Sequence, residues 1–249
     1  MFDSFRNSGR RCSSRACAPD GGTLADVPEG FHPPVEEYLE TIHALTEEGT
    51  TVIQARLVER LGHTPQAVSE MVARLAHDGY LERSGRGVAL TEKGQARAAS
   101  VVRRHRLAER FLVDVLGLPW HLAHEEAGQW EHVISDVVEA RLVELMGHPT
   151  TCPHGNPIPG EPVSDEVQVA MTELTEGSRV RLARITEVVE NDHDALVYLA
   201  DHGLTPGAAA RVSARAPDGT LTLALDGADG ASVALGPAIC RQLFVTALA

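Results

Sequence analysis

A mainly α-helical chain ending in a small β-barrel is what this sequence predicts, and three observations carry the expectation. Apolar residues recur at helical spacing through most of residues 35–146. One hairpin pattern, centred on Ser84-Gly85-Arg86-Gly87, interrupts that spacing at residues 80–91. Beyond a stretch with five prolines and two glycines at residues 149–162, apolar residues alternate with a period of two instead.

Taken in order, residues 1–30 are rich in Ser, Arg, Gly and Pro and read as a disordered tail. Val35, Leu39, Ile42 and Leu45 give a first helix to about Thr46. Val52, Ile53, Leu57, Val58 and Leu61 form one face of the next, which Gly62 ends. Thr64 before Pro65 is an N-cap followed by a proline at the first helical position. Val68, Met71, Val72 and Leu75 then line the inner face of a third helix, closed by Gly79. With the hairpin after it, this is a winged helix-turn-helix whose third helix suits a DNA major groove. A long helix over residues 92–116 follows, then helices at about 122–134 and 136–146. Three such apolar helices in so short a span cannot bury their faces alone, so the chain is expected to form a homodimer. Strands are expected at residues 179–182, 220–225 and 232–235, with one short helix at 192–202. The domains are therefore a tail to 30, a winged helix-turn-helix at 31–98, a helical module at 99–148, a linker at 149–164 and a Src-homology-like β-barrel at 165–249.

Charge is partitioned along the chain. The total is −13, yet residues 51–110 hold 11 Lys/Arg against 6 Asp/Glu, and residues 111–170 hold 1 against 10. One segment can face phosphates while the next attracts cations. No run of about 18 apolar residues exists, and the N-terminal arginines precede no apolar stretch, so neither a membrane span nor a secretory signal is expected. The four cysteines, Cys12, Cys17, Cys152 and Cys240, form no C-x-x-C pair and read as reduced thiols of a cytoplasmic protein. Cys152 and His154 alone are too few for a structural zinc site and read as loop.

Metal-capable side chains fall at helical intervals. His105 and Glu109 are one turn apart, His124, Gly128, Glu131 and His132 share one face of the next helix, and Glu37 and Glu40 sit on the first. Glu190 and His193 open the short helix of the β-rich domain. Imidazoles with carboxylates suit first-row divalent metals. An enzyme is not expected, since no H-E-x-x-H or similar hydrolase motif is present.

The strings His105-Arg106-Leu107-Ala108-Glu109, His124-Glu125-Glu126-Ala127-Gly128-Gln129-Trp130-Glu131-His132 and His154-Gly155-Asn156-Pro157-Ile158-Pro159-Gly160 resemble the diphtheria-toxin-repressor family of iron- and manganese-dependent regulators. The resemblance runs from about Pro34 to the C-terminus. It implies a repressor that grips palindromic double-stranded operators as a dimer when loaded with Mn(II) or Fe(II), at two sites per subunit. The ancillary site it implies is His105, Glu109 and His124 with Glu190 and His193. The primary site is Glu131 and His132 with Glu37; Gly128 offers only its backbone carbonyl, so water, Glu40 or Gln129 completes the shell. Glu37 stands where the iron regulators have methionine and Gly128 where they have cysteine, and losing both sulfurs favours Mn(II) over Fe(II). The alternative is a metal-independent winged-helix regulator whose primary site has decayed at Gly128.

On the third helix Thr64, Gln66, Ala67, Ser69 and Glu70 face outward at the N-terminal end, suited to phosphates and base edges. The resemblance places Glu70 where the family has a base-contacting glutamine. Arg56, Arg60, Arg74, Arg83 and Arg86 are candidates for backbone contacts.

Overall fold

The computed structural model describes residues 33–227 and 232–248. The expected tail, with Cys12 and Cys17, lies outside the described residues.

Helix α1 (Pro33–Glu47) packs Tyr38, Leu39, Ile42 and Leu45 into the first core, where Leu57 of α2 (Gln54–Leu61) and Val68, Val72 and Leu75 of α3 (Pro65–His77) meet them. Gly62 ends α2 at φ 67°, the left-handed conformation that glycine reaches without penalty. The Thr64 side chain accepts from the Ala67 amide at 3.2 Å and caps α3. Strands β1 (Leu81–Ser84) and β2 (Gly87–Leu90) form the antiparallel wing. Gly87 is required there because a Cβ would lie 2.1 Å from the Val52 carbonyl oxygen.

Helix α4 (Glu92–Asp114) joins this core to the next, since Ala98 belongs to the first and Ala108 and Leu112 to the second. A 3₁₀ turn (Trp120–Leu122) leads into α5 (Ala123–Trp130), and α6 (Asp136–Leu145) follows. Ala108, Leu112, Ala127, Ile134 and Leu142 are the buried residues of the second core. Val115, Leu116, Val133, Val137, Val138 and Leu145 remain 47–74 % exposed around it. Helix α5 is shorter than its sequence pattern suggested. Glu131 caps it, and His132 and Val133 sit in the turn before Ser135 starts α6.

The C-terminal part is a six-stranded antiparallel sheet in the order β3-β8-β4-β5-β6-β7. The strands are β3 (Gln168–Ala170), β4 (Arg179–Ile185), β5 (Ala209–Arg215), β6 (Leu221–Leu225), β7 (Ser232–Leu235) and β8 (Leu243–Ala247). Register shifts at Leu182/Arg184 and Val212/Ala214 bend the strands as a small barrel needs. Helices α7 (Glu187–Glu190) and α8 (His193–Asp201) leave β4, and α9 (Pro237–Cys240) precedes β8. Strands β3, β5 and β8 and helices α7 and α9 are additional to those expected from the sequence. None of the described helices is long and apolar enough to cross a membrane.

An ion pair ties the layers together. Arg106 of α4 donates to both Glu47 oxygens, at 2.6 and 3.1 Å, and to the Pro157 carbonyl at 2.5 Å. Burial works against the Glu47 carboxylate, but His43 and Arg106 outweigh it and bring its pKa down to about 2.

Candidate metal centre

Two side chains one turn apart on α4, His105 and Glu109, stand at the centre of the site. Glu109 is 1 % exposed and His105 6 %. Around them lie Glu40 of α1, His124 of α5, Glu131 at the end of α5, Glu190 of α7, and Cys152 and His154 of the linker. These residues form three overlapping groups of ligand atoms, each within 4.8 Å: Glu40, His105 and Glu131; His105, Glu109 and His124; and Glu109, Cys152, His154 and Glu190.

In the outer group, His105 Nδ1 lies 2.5 Å from Glu131 Oε2 and 3.9 Å from Glu40 Oε1. His132 Nε2 approaches Glu131 Oε1 at 3.1 Å, while its Nδ1 meets Glu36 Oε2 at 2.5 Å. Glu36 is 2 % exposed and also receives Arg97. This buried carboxylate orients His132 and turns Nε2 inward, the usual support of a ligating imidazole. Of the two neighbouring glutamates on α1, the sequence singled out Glu37. The structure leaves Glu37 exposed at the mouth of a 790 Å³ cavity that Glu40, Gly128 and Glu131 also line. A Cβ on Gly128 would meet nothing within 4 Å, so its lack of a side chain leaves the cavity open on that side.

In the deep group, Glu109 Oε1 lies 3.0 Å from His154 Nδ1 and 3.2 Å from both His105 Nε2 and His124 Nδ1. Glu109 Oε2 is buried with no hydrogen-bond partner. An unpaired buried carboxylate oxygen is costly in a closed core and ordinary in a cation site. His154 Nε2 donates to the Trp120 carbonyl at 3.3 Å, and Nδ1 donates to Glu109 Oε1 until a cation takes the place of its proton. Asn156 donates to Glu190 Oε1 at 2.6 Å and holds that carboxylate in place. The donor set is two carboxylates, imidazole and one thiol with partners arranged behind them, and it fits a divalent first-row ion.

Two expectations need correction here. Cys152 and His154 are not merely loop: a bridge between Thr151 and Pro157 folds the linker back so that both residues enter the cluster. Their signal was present in the sequence as C-x-H but lacked partners, which come from α4 and α7. His193, by contrast, is exposed, with its ring 5.5 Å from that of His121. The helix carrying Glu190 stops at Asn191 and Asp192, and Asp192 caps a new one, so residues 190 and 193 do not share a helical face. Glu187 is the residue the sequence reading missed. It lines the same cavity, and burial, with Glu190 nearby, holds its carboxyl above the ordinary range.

The linker reaches this position through Gly155, which has φ +88° and whose Cβ would lie 2.0 Å from the Ala183 carbonyl oxygen of β4. Gly155→Ala is expected to cost about 2–4 kcal/mol through a left-handed backbone and a backbone clash. Chemical denaturation should show that loss, with a weaker deep metal site alongside.

The protonation of several of these groups is shifted from the ordinary. Burial, reinforced by Glu131, holds the Glu40 carboxyl well above its usual range. Burial disfavours the His105 cation, but Glu109 and Glu131 outweigh it and hold its pKa well above that of a free imidazole. Burial, then Glu109, raises the Cys152 thiol. Against burial, His154 and His105 pull Glu109 well below the carboxylate range. The metal-free cluster therefore holds protons at neutral pH that a cation must displace. Affinity should fall about tenfold per pH unit for each proton released as pH drops from 8 to 6. Calorimetry in buffers of different ionisation enthalpy would count those protons.

On α3, Gln66 donates to Glu70 Oε1 at 2.9 Å, and Gln66, Ala67, Ser69, Glu70 and Arg74 are exposed. Arg83 and Arg86 are exposed in the wing. Arg60 is otherwise engaged, bonding Glu48 at 2.9 and 3.1 Å, and Arg56 donates to the Thr51 carbonyl. Tyr38, between Glu37 and Glu40 on α1, meets His63 Nδ1 at 3.0 Å, next to the Thr64 cap.

Comparison with known proteins agrees with this architecture. Residues 31–89 match the iron dependent repressor N-terminal DNA binding domain, and residues 91–160 its metal binding and dimerisation domain. Residues 169–247 match the FeoA domain. The iron-dependent repressor IdeR of Mycobacterium tuberculosis is 47 % identical over 204 residues, covering 77 % of this chain and 88 % of that protein. The diphtheria toxin repressor of Corynebacterium diphtheriae is 39 % identical over 207 residues, covering 78 % and 89 %. A manganese-dependent transcriptional repressor solved in complex with manganese superposes with a TM-score of 0.77 at 34 % identity, over 86 % of this chain and all of that one. With its winged helix, its helical module and its SH3-like sheet matched in turn, the chain belongs to the iron-dependent repressor family of metal-dependent transcriptional regulators.

Proposed function

We propose that this chain is a cytoplasmic, dimeric repressor that grips palindromic operator DNA when divalent metal fills two sites per subunit, with Mn(II) preferred at the outer one. One observation carries the reading. A single buried cluster joins α1 of the DNA-reading module to the end of α5 in the dimer module, through Glu40, Glu131 and the Glu36–His132 pair. The outer ligands are carboxylates and imidazoles, which suit Mn(II), while Cys152 makes the deep group softer.

The bound ion supplies positive charge that offsets these carboxylates. The chain does the rest. Glu36 and Arg97 fix α1 against His132, so Glu40 meets Glu131 only when the reading head holds one position relative to the dimer module. Ligands drawn from both modules favour that position over others. Tyr38 passes it to the turn before α3 through His63. Two recognition helices at fixed spacing then suit a two-fold operator. Thr64, Gln66, Ala67, Ser69 and Glu70 present the reading surface, and Arg74, Arg83 and Arg86 the phosphate contacts. The domain division expected from the sequence assigns these roles to 31–98, 99–148 and 165–249.

The test is binding of chelator-stripped protein to genomic DNA fragments while Mn(II), anaerobic Fe(II) and Zn(II) are titrated. Binding switched on by micromolar metal, Mn(II) first, is the expected result. Equally tight binding in chelator would replace this reading with a constitutive regulator.

A further inference from the structure

We infer that His105 is one ligand contested by two ion sites, so that filling either site weakens the other. The inference rests on the metal-dependent reading above. His105 is buried between the two groups, with each ring nitrogen committed to a different one. Nδ1 lies 2.5 Å from Glu131 Oε2 and 3.9 Å from Glu40 Oε1. Nε2 lies 3.0 Å from His124 Nδ1 and 3.2 Å from Glu109 Oε1. The other imidazoles each turn one nitrogen to the clusters: His154 spends Nε2 on the Trp120 carbonyl, His132 spends Nδ1 on Glu36, and His124 meets His105, Glu109 and Glu190 through Nδ1 alone.

A neutral imidazole has one lone-pair nitrogen and one N–H. When Nδ1 coordinates on the Glu40–Glu131 side, the proton sits on Nε2 and points at Glu109. The deep side then loses a ligand and keeps Glu109, His124, Cys152, His154 and Glu190. When Nε2 coordinates on the deep side, the proton moves to Nδ1 and is donated to Glu131. The outer side is then left with carboxylates and His132. Neither case empties the other site, because each side has further ligands. The second ion binds to an incomplete shell and meets the charge of the first across one ring. A lost imidazole should weaken it by about tenfold or more, at least the effect of losing one supporting partner.

The test is titration of Mn(II) into the metal-free full-length protein, followed by calorimetry and by the electron paramagnetic resonance of free Mn(II). The Glu131→Gln/His132→Gln pair isolates the deep site, and the Glu109→Gln/Glu190→Gln pair isolates the outer one. The wild-type product of the two association constants should fall at least tenfold, about an order of magnitude, below the product of the two isolated constants. In His105→Gln that deficit should vanish. A measurement that needs no variant accompanies these: with diamagnetic Zn(II), the ring-nitrogen spectrum of His105 should show one metal-bound and one protonated nitrogen at both one and two equivalents. Equal products, or a doubly metallated ring with no remaining N–H, would overturn the shared-ligand inference and leave the repressor reading standing. Absence of any Mn(II) binding to the wild type would sink the repressor reading itself.

Discussion

Replacing Glu131 and His132 together with alanine should abolish metal-stimulated DNA binding, lowering operator affinity at saturating metal by about 100-fold or more. The reasoning starts from what each side chain touches. Glu131 is 4 % exposed and faces His105 with one oxygen and His132 with the other. His132 reaches α1 through Glu36, across 96 residues of sequence. Removing both leaves the outer group with Glu40 and His105, too few to hold an ion or to tie the two modules. Losing even one supporting partner typically costs 10–100-fold in affinity, on the order of which two lost ligands must exceed. Fluorescence anisotropy on an operator fragment checks the affinity, and sedimentation checks that the dimer persists. Undiminished metal response would mean that the deep group alone carries the switch.

The parts of this site that were legible in the sequence are those fixed by local spacing. His105 and Glu109 are one helical turn apart, so their common face follows from the 3.6-residue period whatever packs against it. The Thr64 cap, the Gly62 stop and the wing hairpin are equally local, and the structure has all three where the chemistry of those residues places them. What could not be read is set by distant contacts. Glu36 and Glu37 are adjacent glutamates on one helix, and only the arrival of His132 distinguishes the buried one from the exposed one. Cys152 and His154 enter the cluster because Gly155 lets the linker lie against β4, and nothing within the linker announces β4. His193 was placed by the resemblance alone: on α8, which Asp192 starts by accepting from the Ala195 amide at 3.0 Å, its ring is exposed beside that of His121. Strand β5 alternates Ala210 and Val212 inward, a pattern too small and too alanine-rich to stand out before its neighbours are known.

Val137→Asp should convert the dimer to monomer and, with it, remove tight operator binding. Val137 is 74 % exposed near the start of α6, beside Val138 and across the turn from Val133, which is also 74 % exposed. A helical module that leaves six large apolar side chains at its surface is built to cover that surface with a second copy. Two-fold symmetry places each substitution in the interface twice. The lost burial is about 1.5 kcal/mol per valine, and an unpaired carboxylate in an apolar interface adds several kcal/mol. Together that is about 4 kcal/mol or more, roughly a 1,000-fold rise in the dimer dissociation constant. Because the side chain is exposed in the single chain, folding stability should change by no more than about 0.5 kcal/mol, which separates a lost interface from a lost fold. Sedimentation equilibrium reads the first and denaturant unfolding the second. A variant that remains dimeric would place the interface on another face. The position also bears on the switch. Glu131, His132 and Val133 occupy one short turn, so the residues that receive α1 and a residue at the proposed dimer surface share the same backbone. Holding the two ligands in place therefore holds Val133 in place. The monomeric variant should accordingly bind the first metal ion less tightly than wild type, a loss that calorimetry at matched chain concentration would detect.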